Sequence, residues 1–150
     1  MKQSAVLGAE AVLERVIAAF EQLPRLAAAD ADLTRRARFL SCEIELGIGA
    51  QSVAIAITDG RVVSVRRGPF LLKPWTFAIR AEPEVWLKFL EPFPVAGYHD
   101  LMALTKVGRA RIEGDLVPFM GNLQVVKDLI SLPRQLQAGG AQLQAEGARS

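Results

Sequence analysis

The sequence predicts an α+β domain: a five-stranded, mainly antiparallel sheet with helices packed on one of its faces. Three observations carry this. Apolar and polar residues alternate with period two through residues 39–67 and again through 75–80, the pattern of strands with one buried face. Asp59-Gly60 sits between two of these runs, and such a dipeptide marks a two-residue hairpin whose turn positions need positive φ. Helical spacing flanks the strand runs instead of following each one, and segregated strands and helices make α+β rather than α/β.

The elements follow in order. Over residues 9–26, Val12, Leu13, Val16, Ile17, Phe20 and Leu23 form one helical stripe, while Glu10, Glu14, Arg15 and Glu21 lie off it. Pro24 perturbs or ends that helix, and AAADADLTRRA adds a further turn or a loop. Leu40, Cys42, Ile44 and Leu46 then alternate with Ser41, Glu43 and Glu45 as a first strand. After Gly47-Ile48-Gly49, Val53, Ile55 and Ile57 mark a second, and Val62, Val63 and Val65 mark a third across the hairpin. Gly68-Pro69 breaks the run; Trp75, Phe77 and Ile79 make a fourth strand.

Glu82-Pro83-Glu84 opens a helix, with proline at the first helical position and acids where the macrodipole favours them. Its face is Val85, Trp86, Phe89 and Leu90, and Pro92 stops it. A short helix over residues 100–107 carries Leu101, Met102 and Leu104 and ends at Gly108. Arg109 to Glu113 alternate as a fifth strand. Asp115 can cap a continuous helix through residue 132, its carboxylate accepting from N–H groups two or three residues on. Leu116, Phe119, Met120, Leu123, Val126, Leu129 and Ile130 are its apolar positions. Three segments result: an N-terminal helical segment, 1–38; the sheet domain, 39–133; and a flexible polar tail, 134–150.

Composition narrows the function. With 150 residues, 51% hydrophobic and 23% charged, the chain makes one domain burying roughly two-thirds of its unfolded surface. A net charge of +2 with scattered basic residues argues against nucleic acid; Arg35-Arg36-Arg38 and Arg66-Arg67 are the tight groups. The single Cys42 rules out an intramolecular disulfide and a Cys-based zinc site. Glu10 and Glu14 interrupt any signal-peptide core, and the expectation is a cytoplasmic protein.

Catalytic chemistry is sparse. Gly47-x-Gly49-x-x-Ser52 leads into another strand, not a helix, so it is no dinucleotide fingerprint. No phosphate-binding loop or nucleophile elbow occurs. His99 is the one histidine, and Asp100 beside it in sequence does not orient an imidazole across a site. Glu43 and Glu45 read as a solvated strand face. The apolar inventory is richer: Trp75, Phe77, Trp86, Phe89, Phe93, Tyr98, Met102, Phe119 and Met120 crowd the second half. Such residues either pack a core or line an apolar pocket.

Three stretches carry a family resemblance: SVAIAITDGRVVSVRRGP, WTFAIRAEPEVWLKFLEP and HDLMALTKVGRARIEGDLVPFMGNLQVVKDLI. Together they span most of residues 39–132, and in order, spacing and turn residues they resemble the sterol carrier protein type-2 domain. The resemblance implies a hydrophobic tunnel for a sterol, fatty acyl chain or acyl-CoA, a binding or transfer role, no catalytic residues, no cofactor and no metal. It carries over the lining region and not individual contacts; the apolar residues of that region make Ile55, Ile57, Trp75, Phe77, Trp86, Phe89, Leu101, Leu104, Phe119, Met120 and Leu123 the candidate ligand-binding residues. Phe119, Met120 and Leu123 would form a movable wall, with the five clustered arginines Arg35, Arg36, Arg38, Arg66 and Arg67 available to an anionic head group.

Partners consistent with this are a lipid or other apolar small molecule, enzyme partners, transient membrane contact and a homodimer. The final Ala148-Arg149-Ser150 is not a peroxisomal signal. Some bacterial members of the family are accessory lipid-binding factors in ubiquinone biosynthesis, which is the alternative function. An enzyme built on His99 and a filled core with a purely interactive role are the competing readings.

Overall fold

The computed structural model describes residues 2–70 and 75–136. Its elements are α1 (Lys2–Phe20), α2 (Leu23–Ala28), α3 (Ala31–Arg36), β1 (Cys42–Ile48), β2 (Gln51–Thr58), β3 (Arg61–Arg67), β4 (Phe77–Ala81), α4 (Pro83–Phe89), α5 (Leu101–Lys106), β5 (Ala110–Gly114), α6 (Leu116–Gly121) and α7 (Leu123–Ser131). The five strands form one sheet in the order β3-β2-β1-β4-β5. Every pairing is antiparallel except β1 with β4, which is parallel. The predicted α+β class and mainly antiparallel sheet are therefore present.

Register explains the two faces. Ile44 lies between Ile55 and Phe77, Leu46 lies between Val53 and Ile79, and Ile79 faces Ile112. One apolar stripe thus crosses four strands, and the helices cover it. The opposite face carries Glu43, Glu45, Arg66, Arg80, Arg111 and Glu113. Arg80 Nη2 donates to Glu45 at 2.6 Å and its Nε to Glu113 at 3.1 Å, while Arg66 reaches Glu43 at 2.8 Å. Glu45 is only 6% exposed, so the solvated acidic face expected from sequence is instead an ion-pair ladder with one buried member. The hydrogen bond from Arg80 holds the Glu113 carboxyl below its ordinary value.

The predicted hairpin is formed: Asp59 and Gly60 have φ of 49° and 79°. A side chain at Gly60 would sit 2.6 Å from the Ala37 backbone, so the tight turn also lets the hairpin dock on the end of α3. Gly114 is the second position of this kind, with φ of 99° and an added Cβ 2.6 Å from the Trp75 ring.

Two helices differ from expectation. The single helix predicted for residues 9–26 is α1 plus α2, divided before Pro24. That proline lies in the first turn of α2, where its missing N–H leaves no intrahelical bond unmade. The predicted continuous helix after Asp115 is α6 and α7, broken at Asn122, whose amide side chain donates to the Pro118 carbonyl at 3.0 Å. The Asp115 cap is present, accepting from Val117 N at 3.1 Å. Trp75 precedes β4 instead of belonging to it. The expected tail falls largely on residues 137–150, outside the described residues, but Arg134 is docked, donating to the Phe89 carbonyl at 2.7 Å.

At the centre, the Trp86 indole of α4 is fully buried. It meets Phe20 of α1 and Phe89 edge-on at 5.3 and 5.7 Å, and its N–H donates to Gly47 O of β1 at 2.8 Å. Trp86→Phe should cost about 1–3 kcal/mol by leaving a buried carbonyl short of a donor. Trp86→Ala should cost about 3–5 kcal/mol by opening a cavity. Urea unfolding of the two variants against wild type measures both.

Candidate functional site

The largest of four cavities described here lies between α2–α3 and the edge strand β3, with a volume of about 600 Å³. Pro24, Ala27 and Ala28 of α2, Ala31, Thr34 and Arg35 of α3, and Arg61, Val62 and Val63 of β3 line it. Its origin is local. Three of the helical wall positions are alanines, whose methyl groups are too short to fill the space up to the sheet. The strand wall comes from a bulge: Ala56 pairs with Ser64, but Ile57 pairs with Val62, so Val63 is the extra residue in β3. A bulge re-aims side chains at a sheet edge, and both valines consequently border the cleft. Asp30 fixes the start of α3 by accepting from Leu33 N at 3.0 Å.

The cleft is apolar along its walls and cationic at its rim. Arg35 pairs with Asp32 at 2.6 Å; Arg61 has no acidic partner among the described residues. A void of about 10 Å³, the size of one water, adjoins the cleft at Ala27 and Thr34 and reaches Ile57, Val125 and Leu129. It lies under the junction of α3 and α7, which Arg36 bridges by donating to Asp128 at 2.9 Å. That hydrogen bond raises the Arg36 pKa, and those from Arg35 and Arg36 lower that of Asp32.

The remaining cavities differ in chemistry. One of about 400 Å³ is polar, bordered by His99, Asp100, Gln124, Lys127, Asp128, Ser131 and Arg134 beside Phe89 and Leu101. Lys127 Nζ lies 2.9 Å from Asp100 Oδ1 without an aligned hydrogen bond. Burial lowers the Arg134 pKa. The other, about 330 Å³, is apolar and runs between α1 and α4 past Val16, Ala19, Leu87 and Leu90.

The residues singled out from sequence sit mostly elsewhere. Ile55, Ile57, Phe77, Trp86, Phe89, Leu101, Leu104 and Phe119 are buried and fill the space between sheet and helices. Ile57 borders the narrow void, and Phe89 and Leu101 border the polar cavity. Trp75 and Leu123 are half-buried. Of the expected movable wall, Phe119 packs inward on Phe77, ring centroids 5.3 Å apart, while Met120 is 55% exposed.

Of the five arginines expected to meet a head group, Arg35 alone borders the cleft. Arg66 is held by Glu43, and Arg67 clamps α1 to β3 through Glu14 and Glu21 at 2.6 and 2.7 Å. Arg38 lies over the Phe39 ring. His99 is exposed, and no cluster of acidic, histidine or cysteine side chains able to hold a metal occurs among the described residues. Cys42 is pushed up to about 11 by burial, so its thiol stays protonated and inert at neutral pH. The cleft itself was missed, although the alanine run and the Val62-Val63 doublet were its visible signals.

No protein-family model and no curated sequence matches the chain. Solved structures do. The chain is similar to the crystal structure of sterol carrier protein 2, with a TM-score of 0.64 and 14% identity, over 78% of this chain and 94% of the other. It is similar to the solution structure of a conserved hypothetical protein from Thermus thermophilus, described as a candidate sterol carrier protein, with a TM-score of 0.60 and 14% identity, over 79% and 85% of the two chains. A third is the UbiJ-SCP2 ubiquinone synthesis protein, with a TM-score of 0.50 and 18% identity, over 83% and 93%. The chain has a sterol carrier protein 2-like fold.

The clamp that holds α1 against β3 depends on pH. The hydrogen bond from Arg67 holds the Glu21 carboxyl below its ordinary value of 4.5. A carboxyl depressed on folding contributes stability that is complete above that value and is lost as pH falls through the lower, folded-state value. Arg67→Ala should therefore destabilise the protein at about pH 6 and have a smaller effect at about pH 3, as read from thermal melts at the two pH values.

Proposed function

We propose that this chain is a non-catalytic carrier that binds and transfers an apolar lipid, and that the cleft between α2–α3 and β3 holds it. The cleft carries the reading. Its volume of about 600 Å³ falls in the usual range of ligand sites, roughly 300–1,000 Å³. Its alanine and valine walls suit an alkyl chain, and Arg35 and Arg61 at the rim suit a carboxylate. Each CH₂ moved from water into such a site is worth about 0.8 kcal/mol, so a fatty acyl chain needs few polar contacts. The likeness to sterol carrier protein 2 supports a carrier over an enzyme, and among the described residues the His99 ring makes no hydrogen bond to an acid or a hydroxyl. Parting α3 from α7 at the Arg36–Asp128 pair would extend the site along the narrow void toward Ile57.

The second reading is an accessory lipid-binding factor that presents a polyprenyl quinone precursor to biosynthetic enzymes. The likeness to the UbiJ-SCP2 ubiquinone synthesis protein supports it. So does the outer side of α6, where Leu116, Val117 and Met120 are 45%, 80% and 55% exposed and could meet a protein partner.

A fluorescent fatty acid should bind saturably to the purified protein. Ala28→Trp should weaken that binding by at least about tenfold through steric exclusion. Arg61→Glu should weaken binding of the acid by up to about fivefold, the scale of one exposed ion pair, and leave its methyl ester unaffected. Unchanged binding by both variants would remove the ligand from this cleft.

A further inference from the structure

We infer that the loop between α4 and α5, together with the turn between α5 and β5, is a docking surface for an anionic lipid bilayer. Phe93 is 92% exposed, the most exposed of the large hydrophobic side chains among the described residues, and Val95 and Val107 are 58% and 59% exposed. Leaving a Phe side chain in water forgoes roughly 1.5–3 kcal/mol of burial. The local sequence keeps it there: Phe93 is flanked by Pro92 and Pro94, whose rings restrict the backbone. Tyr98 N closes the loop on Val95 O at 3.0 Å.

Two cations stand over Tyr98, farther along the same loop. The Tyr98 ring has Lys88 Nζ at 5.0 Å and the Arg109 guanidinium at 4.6 Å. Arg109 also lies 3.4 Å from where a side chain on Gly97 would project, which joins the loop to the turn that carries Val107, directly after Lys106 at the end of α5. Lys88, Lys106 and Arg109 are exposed and have no acidic partner among the described residues. They differ in this from Arg35, Arg36, Arg66, Arg67, Arg80 and Arg111, which are paired with carboxylates, and resemble Arg15, Arg25, Arg38 and Arg61, which form no ion pair among the described residues.

An exposed aromatic ring held by prolines inserts at the interfacial depth of a bilayer, and unpaired cations around a tyrosine meet anionic head groups. A protein partner would be expected to supply acids to these cations, whereas a leaflet supplies both acid and hydrocarbon at one surface. The choice of a bilayer rests on the carrier reading, since a carrier must load from and deliver to one.

The test is co-sedimentation of the full chain with vesicles of pure phosphatidylcholine and with vesicles of equal parts phosphatidylcholine and phosphatidylserine. Wild type should bind the second and not the first. Phe93→Ser, at a position too exposed to affect folding, should lower the partition coefficient about tenfold. Lys88→Ala with Arg109→Ala should lower it about thirtyfold, roughly fivefold per cation near an anionic surface. Wild type failing to sediment, sedimenting equally with both vesicles, or being matched by these variants would overturn the proposal. Fatty acid binding in the absence of vesicles, measured on the same variants, separates the two readings. Retained uptake without sedimentation overturns the docking surface alone, and sedimentation without uptake overturns only the carrier reading.

Discussion

The structure depends most on one side chain, the Trp86 indole. It reaches from α4 to Gly47 O in the middle strand and stacks edge-on with Phe20 and Phe89. One residue therefore ties a helix, the N-terminal helix and the sheet together, and a buried N–H with no other donor role fixes where α4 sits. Because β1 pairs with both β2 and β4, that anchor locates the helical layer over the whole apolar face. The same fact explains why so many residues suited to lining a tunnel are core. Phe77, Trp86, Phe89 and Phe119 close on one another and leave the larger spaces at the margins of the helical layer.

Electrostatics follow a comparable logic. The paired arginines are fasteners: Arg67 joins β3 to α1, Arg36 joins α3 to α7, and Arg80 bridges Glu45 and Glu113 across the sheet. Those at the surface contribute little individually. Arg80 matters more, because Glu45 would otherwise be a buried unpaired charge. Among the cations without a carboxylate partner in the described residues are Arg61, at the rim of the cleft, and Lys88 and Arg109, at the Tyr98 end of the molecule. Both places also carry apolar side chains, Val62 and Val63 at the cleft and Phe93 and Val95 in the loop.

The cleft shows how small local departures open space at a sheet edge. An alanine-rich helix pair laid along a bulged edge strand cannot close against it, since the methyl groups are short and Val63 is turned out of register. The helices nonetheless cover the strand edge, the part of a sheet most prone to pairing with another chain. Protection of the edge and the opening of an apolar cleft thus have a common origin.

Period-two alternation, the Asp59-Gly60 turn, the Pro83 helix start and the Asp115 cap were enough to determine the strands, the hairpin, α4 and the start of α6, because each is decided by contacts within a few residues. The resemblance in residues 39–132 anticipated the overall architecture. Sequence did not determine which apolar residues would fill space and which would border it. That depends on distances between elements far apart in the chain, such as Phe119 on Phe77 and Ala28 opposite Val63. The break before α2 is marked in sequence by Pro24, whereas the break at Asn122 was decided by tertiary packing, which favours two short helices fitted to the sheet over one long helix that continues the local period. The arginine clusters read as one kind of feature in sequence, and only the fold assigned each arginine its partner.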